Sequence, residues 1–145
     1  LAKGAAAAVT VVFLCVLAGL VVLAFDPIVG LELSYANLAQ AMSGLVVLGV
    51  FHGWLALAMG AAVPNRALAL GVPAAVAAFG YLVNGLHHEA AWLEPFRFLS
   101  PFWLVGTSPL QRGIELGGTL VVAVAAVVVL VAGSLLVERR DLQTP

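Results

Sequence analysis

Four long stretches of the chain contain no Asp, Glu, Lys or Arg: residues 4–25, 33–65, 67–88 and 116–137. A helix of about 20 residues, rising about 1.5 Å per residue, matches a bilayer hydrocarbon core about 30 Å thick. Composition points the same way, because 63% of the residues are hydrophobic, 9% are charged and the mean hydropathy is +1.15. Soluble domains carry far more charge. The sequence therefore predicts an all-α integral membrane protein with a single membrane domain.

Local signals set the expected ends of four spanning helices. The first should stop at Asp26-Pro27, because proline cannot donate to the helical ladder. Pro64-Asn65-Arg66 predicts a tight turn between the second and third helices. Pro73 lies inside the third helix and should bend it, which neighbouring helices can accommodate. The predicted spans are about 4–25, 36–63, 67–86 and 117–137, with Glu32 in the first loop.

Positive residues are unevenly divided between the loops, which predicts the orientation. Loop 26–35 has no Lys or Arg, and loop 87–116 has Arg97 and Arg112. Lys and Arg near helix ends favour the cytoplasmic side. We therefore expect both chain ends, including tail 138–145, in the cytoplasm and both loops outside. The cations on the predicted cytoplasmic side are Lys3, Arg66, Arg139 and Arg140.

Small residues indicate where helices approach each other. Gly49 and Gly53 form a G-x-x-x-G pattern, and Gly71 with Ala75 continues the theme in the third helix. Such spacing permits close backbone contact between membrane helices. It predicts packing and carries no functional weight alone.

Three further observations limit the function classes. The one cysteine, Cys15, excludes an internal disulfide. A net charge of −1 offers no basic surface for nucleic acid, and no nucleic-acid partner is expected. The chain begins with Leu rather than Met, and we expect it to be part of a longer polypeptide.

The stretch GYLVNGLHHEAAWLEPFRFLSPF, residues 80–102, contains the densest polar chemistry. One hypothesis makes His87, His88 and Glu89 a reactive or metal site of a small membrane enzyme. The other places them at the external interface, where the third helix leaves the membrane. Adjacent helical side chains point about 100° apart, and no H-E-x-x-H pattern is present. We favour the interface, with no catalytic or metal-binding residue assigned.

The region after the histidines predicts short external helices that dip into the interface. Residues 92–103 hold five of the twelve aromatics, and such rings favour the headgroup zone. Pro95 can start one short helix, which Ser100-Pro101 should end. Ser108-Pro109 predicts a second short helix running toward Glu115.

His52 is the ionisable residue nearest the centre of a predicted span. Such groups usually face a bundle interior or a water-filled cavity, so a substrate contact is one hypothesis. The alternative is a neutral histidine bonded to a neighbouring helix. Asn84 is a weaker candidate for the substrate path, and it and Gln40 can also satisfy backbone near helix ends.

The runs GYLVNGL (80–86), WLEPFRFLSPF (92–102), SPLQRGIELGG (108–118) and ERRDL (138–142), in this order, resemble the C-terminal end of ABC-2 type exporter permeases. Bacterial members are often drug or polyketide-antibiotic exporters. The resemblance implies a type V exporter-like permease half of six spanning helices in the plasma membrane. This chain would hold the last four, with short re-entrant external helices before the last and the N-terminal part missing.

The resemblance also implies partners. Two permease halves, fused or separate, couple to cytoplasmic ATPase subunits and move a hydrophobic or amphipathic substrate such as an antibiotic or lipid. This chain has no G-x-x-x-x-G-K-[ST] loop, so ATP and Mg would be bound by the partner. Asn65 and Arg66 are possible ATPase contacts, although positive-inside anchoring explains Arg66 equally well.

Many relatives have an Asp-Pro-Leu-x-Asn-Gly-like stretch where this chain has residues 108–113. A non-transporting assembly subunit remains the other alternative.

Overall fold

The computed structural model describes residues 2–30 and 34–141, which are predominantly helical. Four helices are long and apolar enough to cross a membrane, which confirms the predicted all-α membrane fold at that level. They are α1 (Ala2–Val29), α2 (Tyr35–Ala62), α3 (Arg66–Leu86) and α6 (Leu116–Asp141). Between α3 and α6 lie a 3-10 helix (Ala91–Leu99) and two short α-helices, α4 (Pro101–Val105) and α5 (Pro109–Arg112).

The prediction that the first helix stops at Asp26-Pro27 is wrong, because α1 continues to Val29. Proline's fixed φ suits a helix, and its main cost here is the missing bond to the carbonyl one turn earlier. The N–H of Gly30 donates to the Asp26 carbonyl at 2.8 Å and closes the last turn. Asp26 is therefore helical rather than part of a loop. Glu32, also predicted in that loop, lies outside the described residues.

The end of α6 also differs from the prediction. Residues 138–141 continue the helix instead of starting a tail. Glu and Arg are good helix formers, and neither Gly nor Pro occurs between 134 and 141 to interrupt the ladder. The rest of the predicted tail, residues 142–145, lies outside the described residues.

Helix α2 is the centre of the bundle and contacts α1, α3, α4, α5 and α6. Its direction relative to α1 is antiparallel, because Gly49 approaches Val11 whereas Trp54, further along α2, bonds to Gly4. Its direction relative to α6 is parallel. Leu48 clusters with Val122, and Ala58, ten residues later, meets Gly133.

This arrangement assigns the loops to two ends of the bundle. Because α6 runs parallel to α2, it must begin at the end where α2 begins and α3 ends. We call residues 87–115 the segment. Because the segment lies at this end of the bundle, we call it the segment end. Lys3 and Arg66 lie together at the opposite end. The charge pattern predicted that these two cations would share one side.

The G-x-x-x-G interpretation is only half right. A Cβ added to Gly49 would lie 2.6 Å from Val11 Cγ1, so α1 does approach α2 there. Nothing lies within 4 Å of a Cβ at Gly53 or Gly71. Burial of one glycine does not require its i+4 neighbour when helices cross at an angle. The closest backbone approaches occur instead at Gly118 and Gly133.

Pro73 is buried within α3, and the helix is continuous through it. Proline has no N–H, so the carbonyl of Ala69, also buried, lacks its usual helical donor. The bend expected at this point stays a prediction.

Candidate functional site

The first part of α4 folds back against α3 through a buried hydrogen bond. Ser100 is fully buried, and its hydroxyl donates to the carbonyl of Gly80 at 2.7 Å. The same oxygen accepts the N–H of Trp103 at 3.2 Å, which makes Ser100 the N-cap of α4. Gly80 lies six residues before the end of α3, so the contact is about 9 Å along that helix from its end. Ser100-Pro101 therefore ends one short helix, as predicted, and also starts another, which the sequence did not predict.

Glycine makes this contact possible. A Cβ on Gly80 would lie 3.3 Å from both Pro101 Cδ and Phe102 Cδ2, tighter than ordinary van der Waals contact. Any larger side chain would push α4 away from α3. The backbone of the segment can approach α3 closely enough to bond because position 80 has no side chain.

Phe102 connects α3 to His52 at the middle of α2. Its ring centroid is 6.0 Å from that of Tyr81, at an interplanar angle of 83°, and 5.7 Å from that of His52. Phe51 packs on His52 from its own helix, with centroids 5.0 Å apart. We call His52 and these three rings the aromatic junction. It joins α2, α3 and α4 around one imidazole.

His52 has one satisfied and one unsatisfied ring nitrogen. Nδ1 lies 2.8 Å from the carbonyl of Leu48, one turn earlier in α2, so Nδ1 carries the proton in this bond. In the neutral ring, Nε2 then has a free lone pair. Nε2 is buried and has no hydrogen-bond partner. The expected bond to a neighbouring helix is thus wrong, because a carbonyl of its own helix takes that role. Chemically, Nε2 can accept a hydrogen bond from a hydroxyl, an ammonium group or water.

Asn84, the other substrate-path candidate, lies one turn after Gly80 in α3. Its side chain is half-buried, and Oδ1 is buried without a hydrogen-bond partner. Asn84 Oδ1 therefore does not satisfy a nearby backbone group, contrary to one of the two interpretations. Together with His52 Nε2, it is one of two unsatisfied polar acceptors at the candidate positions.

Two residues at the start of α2 hold the segment in place. Asn37 Nδ2 donates to the carbonyl of Gln111 at 2.8 Å, and Gln40 Oε1 accepts the N–H of Ile114 at 3.2 Å. Gln40 thus satisfies distant backbone rather than local backbone. The sequence analysis did not select Asn37. It lies three residues before Gln40, which places both side chains on one helix face, and this spacing could have indicated their shared role.

The histidine pair differs from the prediction in two ways. His87 is 4% exposed, so the protein itself buries a side chain that was expected to be open at the interface, and its Nδ1 lies 3.1 Å from the Val83 carbonyl and 3.0 Å from that of Asn84. The rings of His87 and His88 stack, with centroids 3.8 Å apart. The 100° separation holds only within a helix, and α3 ends at Leu86. Across residues 2–30 and 34–137, no group of three or more His, Cys, Asp and Glu is placed to hold a metal.

At the opposite end, Asn65 and Arg66 form the turn before α3. Asn65 Oδ1 accepts the N–H of Ala67 at 2.9 Å, so Asn65 is a helix N-cap. Arg66 is exposed at the first position of α3. The structure gives Asn65 a structural role, while the side chain of Arg66 is available to solvent or another chain.

Comparison of the chain with models of known protein families, with characterised proteins and with solved structures found no match.

Proposed function

We propose that the chain is part of the membrane-spanning permease of an ATP-driven ABC-2 type exporter. The proposal starts from the ordered resemblance of residues 80–142, and the fold is compatible with it. Four spanning helices and three short helices before the last one correspond to the C-terminal part of such a permease half. The substrate class would be hydrophobic or amphipathic, such as an antibiotic or a lipid.

One observation carries most weight, namely the buried bond from Ser100 to Gly80. It places the start of α4 beside the body of α3, about 9 Å from the helix end. Backbone that does not span the membrane is tolerated at membrane depth where protein covers it. This supports short re-entrant helices between the last two spans, the feature that the resemblance implies.

The charge distribution supports an orientation with the segment end outside. Lys3 and Arg66 lie at the other end, as expected for the cytoplasmic side of a bacterial plasma membrane. At the segment end, Arg97 is paired with Glu94 at 3.2 Å and stacks on Phe98 and Trp103. Both chain ends would be cytoplasmic.

In this proposal, ATP binding by partner ATPases shifts two paired permease halves between inward-facing and outward-facing states. Each nucleotide state must favour one packing through a difference in contact energy. ATP and Mg belong to the partner. At the two candidate substrate-path positions, His52 Nε2 and Asn84 Oδ1 have no hydrogen-bond partner, and a substrate that reaches them would find two acceptors.

The test is purification of the full-length protein from its native membrane in a mild detergent. We expect it to retain a subunit with a G-x-x-x-x-G-K-[ST] loop and to hydrolyse ATP. Arg66→Glu should lower the retained ATPase several-fold, because reversal of an exposed charge at a contact costs affinity. Glu89→Lys, an equal charge reversal at the segment end, is the matched control.

Absence of any ATP-hydrolysing subunit in the wild-type preparation would contradict the permease proposal. If the Arg66→Glu and Glu89→Lys variants retain equal amounts of the ATPase subunit, Arg66 does not contact it. Within the same complex, His52→Ala with unchanged substrate-stimulated hydrolysis and unchanged export would remove His52 from the substrate path, with His88→Ala as its control.

A further inference from the structure

A pocket with several polar side chains in a partly apolar lining lies at the segment end, apart from the aromatic junction. It has a volume of about 370 Å³, within the size range of small-molecule sites. The loop 106–108, the end of α5 and the beginning of α6 surround it. Its polar side chains are those of Trp103, Thr107, Ser108, Arg112 and Glu115.

The pocket contains one positive and one negative side chain that are not paired with each other. The ion pair in residues 2–30 and 34–137 joins Arg97 to Glu94, so Arg112 and Glu115 are both uncommitted. The hydroxyls of Thr107 and Ser108 and the indole N–H of Trp103 form no side-chain hydrogen bonds within the same residues. Five polar groups thus face one pocket with free hydrogen-bonding capacity.

The backbone keeps the two charges apart. Gly113 has φ +78° and follows Arg112, which turns the chain between α5 and the start of α6. The N–H of Glu115 donates to the Val105 carbonyl at 2.9 Å, and its own carbonyl accepts the N–H and hydroxyl of Thr119. The backbone position of Glu115 is thus fixed by α4 and α6, independently of its carboxylate.

The residues around the pocket have the composition expected at a membrane interface. Trp92 is 70% exposed and belongs to the same segment, as expected for an aromatic belt at headgroup level. The beginning of α6, the helix that borders the pocket, also carries exposed apolar side chains, Leu116 and Leu120 among them. A molecule with a polar zwitterionic head and hydrocarbon chains would match both surfaces.

We propose that this pocket binds the headgroup of a zwitterionic phospholipid with a primary amine, that is, a phosphoethanolamine headgroup. Arg112 and the two hydroxyls donate to the phosphate. Glu115 accepts from the ammonium. A carboxylate is an acceptor only, so an ammonium with three N–H donors suits it better than a choline group, which has none. The proposal needs membrane insertion but no ATPase.

The test is native mass spectrometry of the full-length delipidated protein, titrated separately with phosphatidylethanolamine, phosphatidylcholine and phosphatidylglycerol. Wild type should retain phosphatidylethanolamine best. Arg112→Gln should weaken its binding roughly tenfold, the effect of one charge-assisted hydrogen bond. Glu115→Gln should remove the preference over phosphatidylcholine. Glu115→Asp keeps the carboxylate and should keep part of that preference.

Glu89→Gln and Arg66→Gln remove exposed charges outside the pocket and should leave all three affinities unchanged. Equal retention of the three lipids by wild type would overturn the proposal, as would a Glu115→Gln variant with undiminished preference. Displacement of the lipid by soluble glycerophosphoethanolamine at equal concentration would also overturn it, because the hydrocarbon chains would then contribute nothing.

Discussion

Helix α2 has two different interfaces, one with α6 and one with α1. At the α6 interface the backbones themselves meet, since a Cβ on Gly133 would lie 2.9 Å from Ala58 Cα. At the α1 interface, the glycines face side chains: Gly49 faces Val11, and Gly19 faces Met42. Both interfaces use the absence of a Cβ, but only the first brings two backbones together. Side chains can rotate away from an added methyl group, whereas a neighbouring backbone cannot without moving its helix.

The same contrast appears in the chain's path. The antiparallel pair α1 and α2 needs only a short connection. The parallel pair α2 and α6 needs the chain to return to the same end, and α3 with residues 87–115 provides that return. Contacts between this segment and α6 then strengthen the parallel interface, because Leu104 in α4 packs directly over Gly118.

The largest expected effect is that of Gly118→Ala. Its Cβ would overlap the backbone carbonyl of Leu104, and we expect destabilisation by about 3 kcal/mol. Gly117→Ala is the matched control, because nothing lies within 4 Å of its Cβ; it should stabilise the helix by up to about 1 kcal/mol. Unfolding free energies from titration with denaturing detergent would measure both. Similar values for the two variants would refute backbone contact between α4 and α6.

An intermediate effect is expected at the side-chain interface. Gly49→Ala should destabilise by about 1–2 kcal/mol, because Val11 is β-branched and has little freedom to move from a Cβ 2.6 Å away. Gly53→Ala, the other half of the G-x-x-x-G pattern, meets nothing and serves as control. The same titration applies, and Val11→Ala should rescue Gly49→Ala. A larger loss at Gly53 would mean that the pattern is used in full.

The smallest effect is expected for Gly19→Ala. Its Cβ would lie 3.2 Å from Met42 Cγ, and methionine is flexible enough to adjust. The gain in helix propensity should offset the crowding, leaving the unfolding free energy within about 0.5 kcal/mol of wild type. A loss close to that of Gly118→Ala would remove the distinction between backbone contacts and side-chain contacts at these glycines.

The length of the uncharged apolar tracts was sufficient to predict four spans, because a bilayer imposes a length and an apolar composition on each. The ends were less predictable. Pro27 stays helical because one missing bond in a last turn is tolerable, and residues 138–141 extend α6 because their propensities allow it. Such details depend on energies of about 1 kcal/mol, which local sequence does not resolve.

The site was predicted only in part. The sequence singled out His52 as an ionisable group within a predicted span, but its partner in α2 and its contact with Phe102 depend on tertiary structure. His87 was expected at the interface, and its burial depends on how the chain turns after Leu86. The bond from Ser100 to Gly80 joins residues twenty apart, and no local pattern indicates such a pairing.

The bond between Ser100 and Gly80 has a consequence for biosynthesis. A hydroxyl in hydrocarbon without a partner is costly, and the acceptor for this one lies on α3. Ser100 emerges from the ribosome after α3, so the acceptor is already made when the donor arrives. The short helices can therefore pack against α3 as soon as they are made, and α6 can follow onto a surface that they have completed.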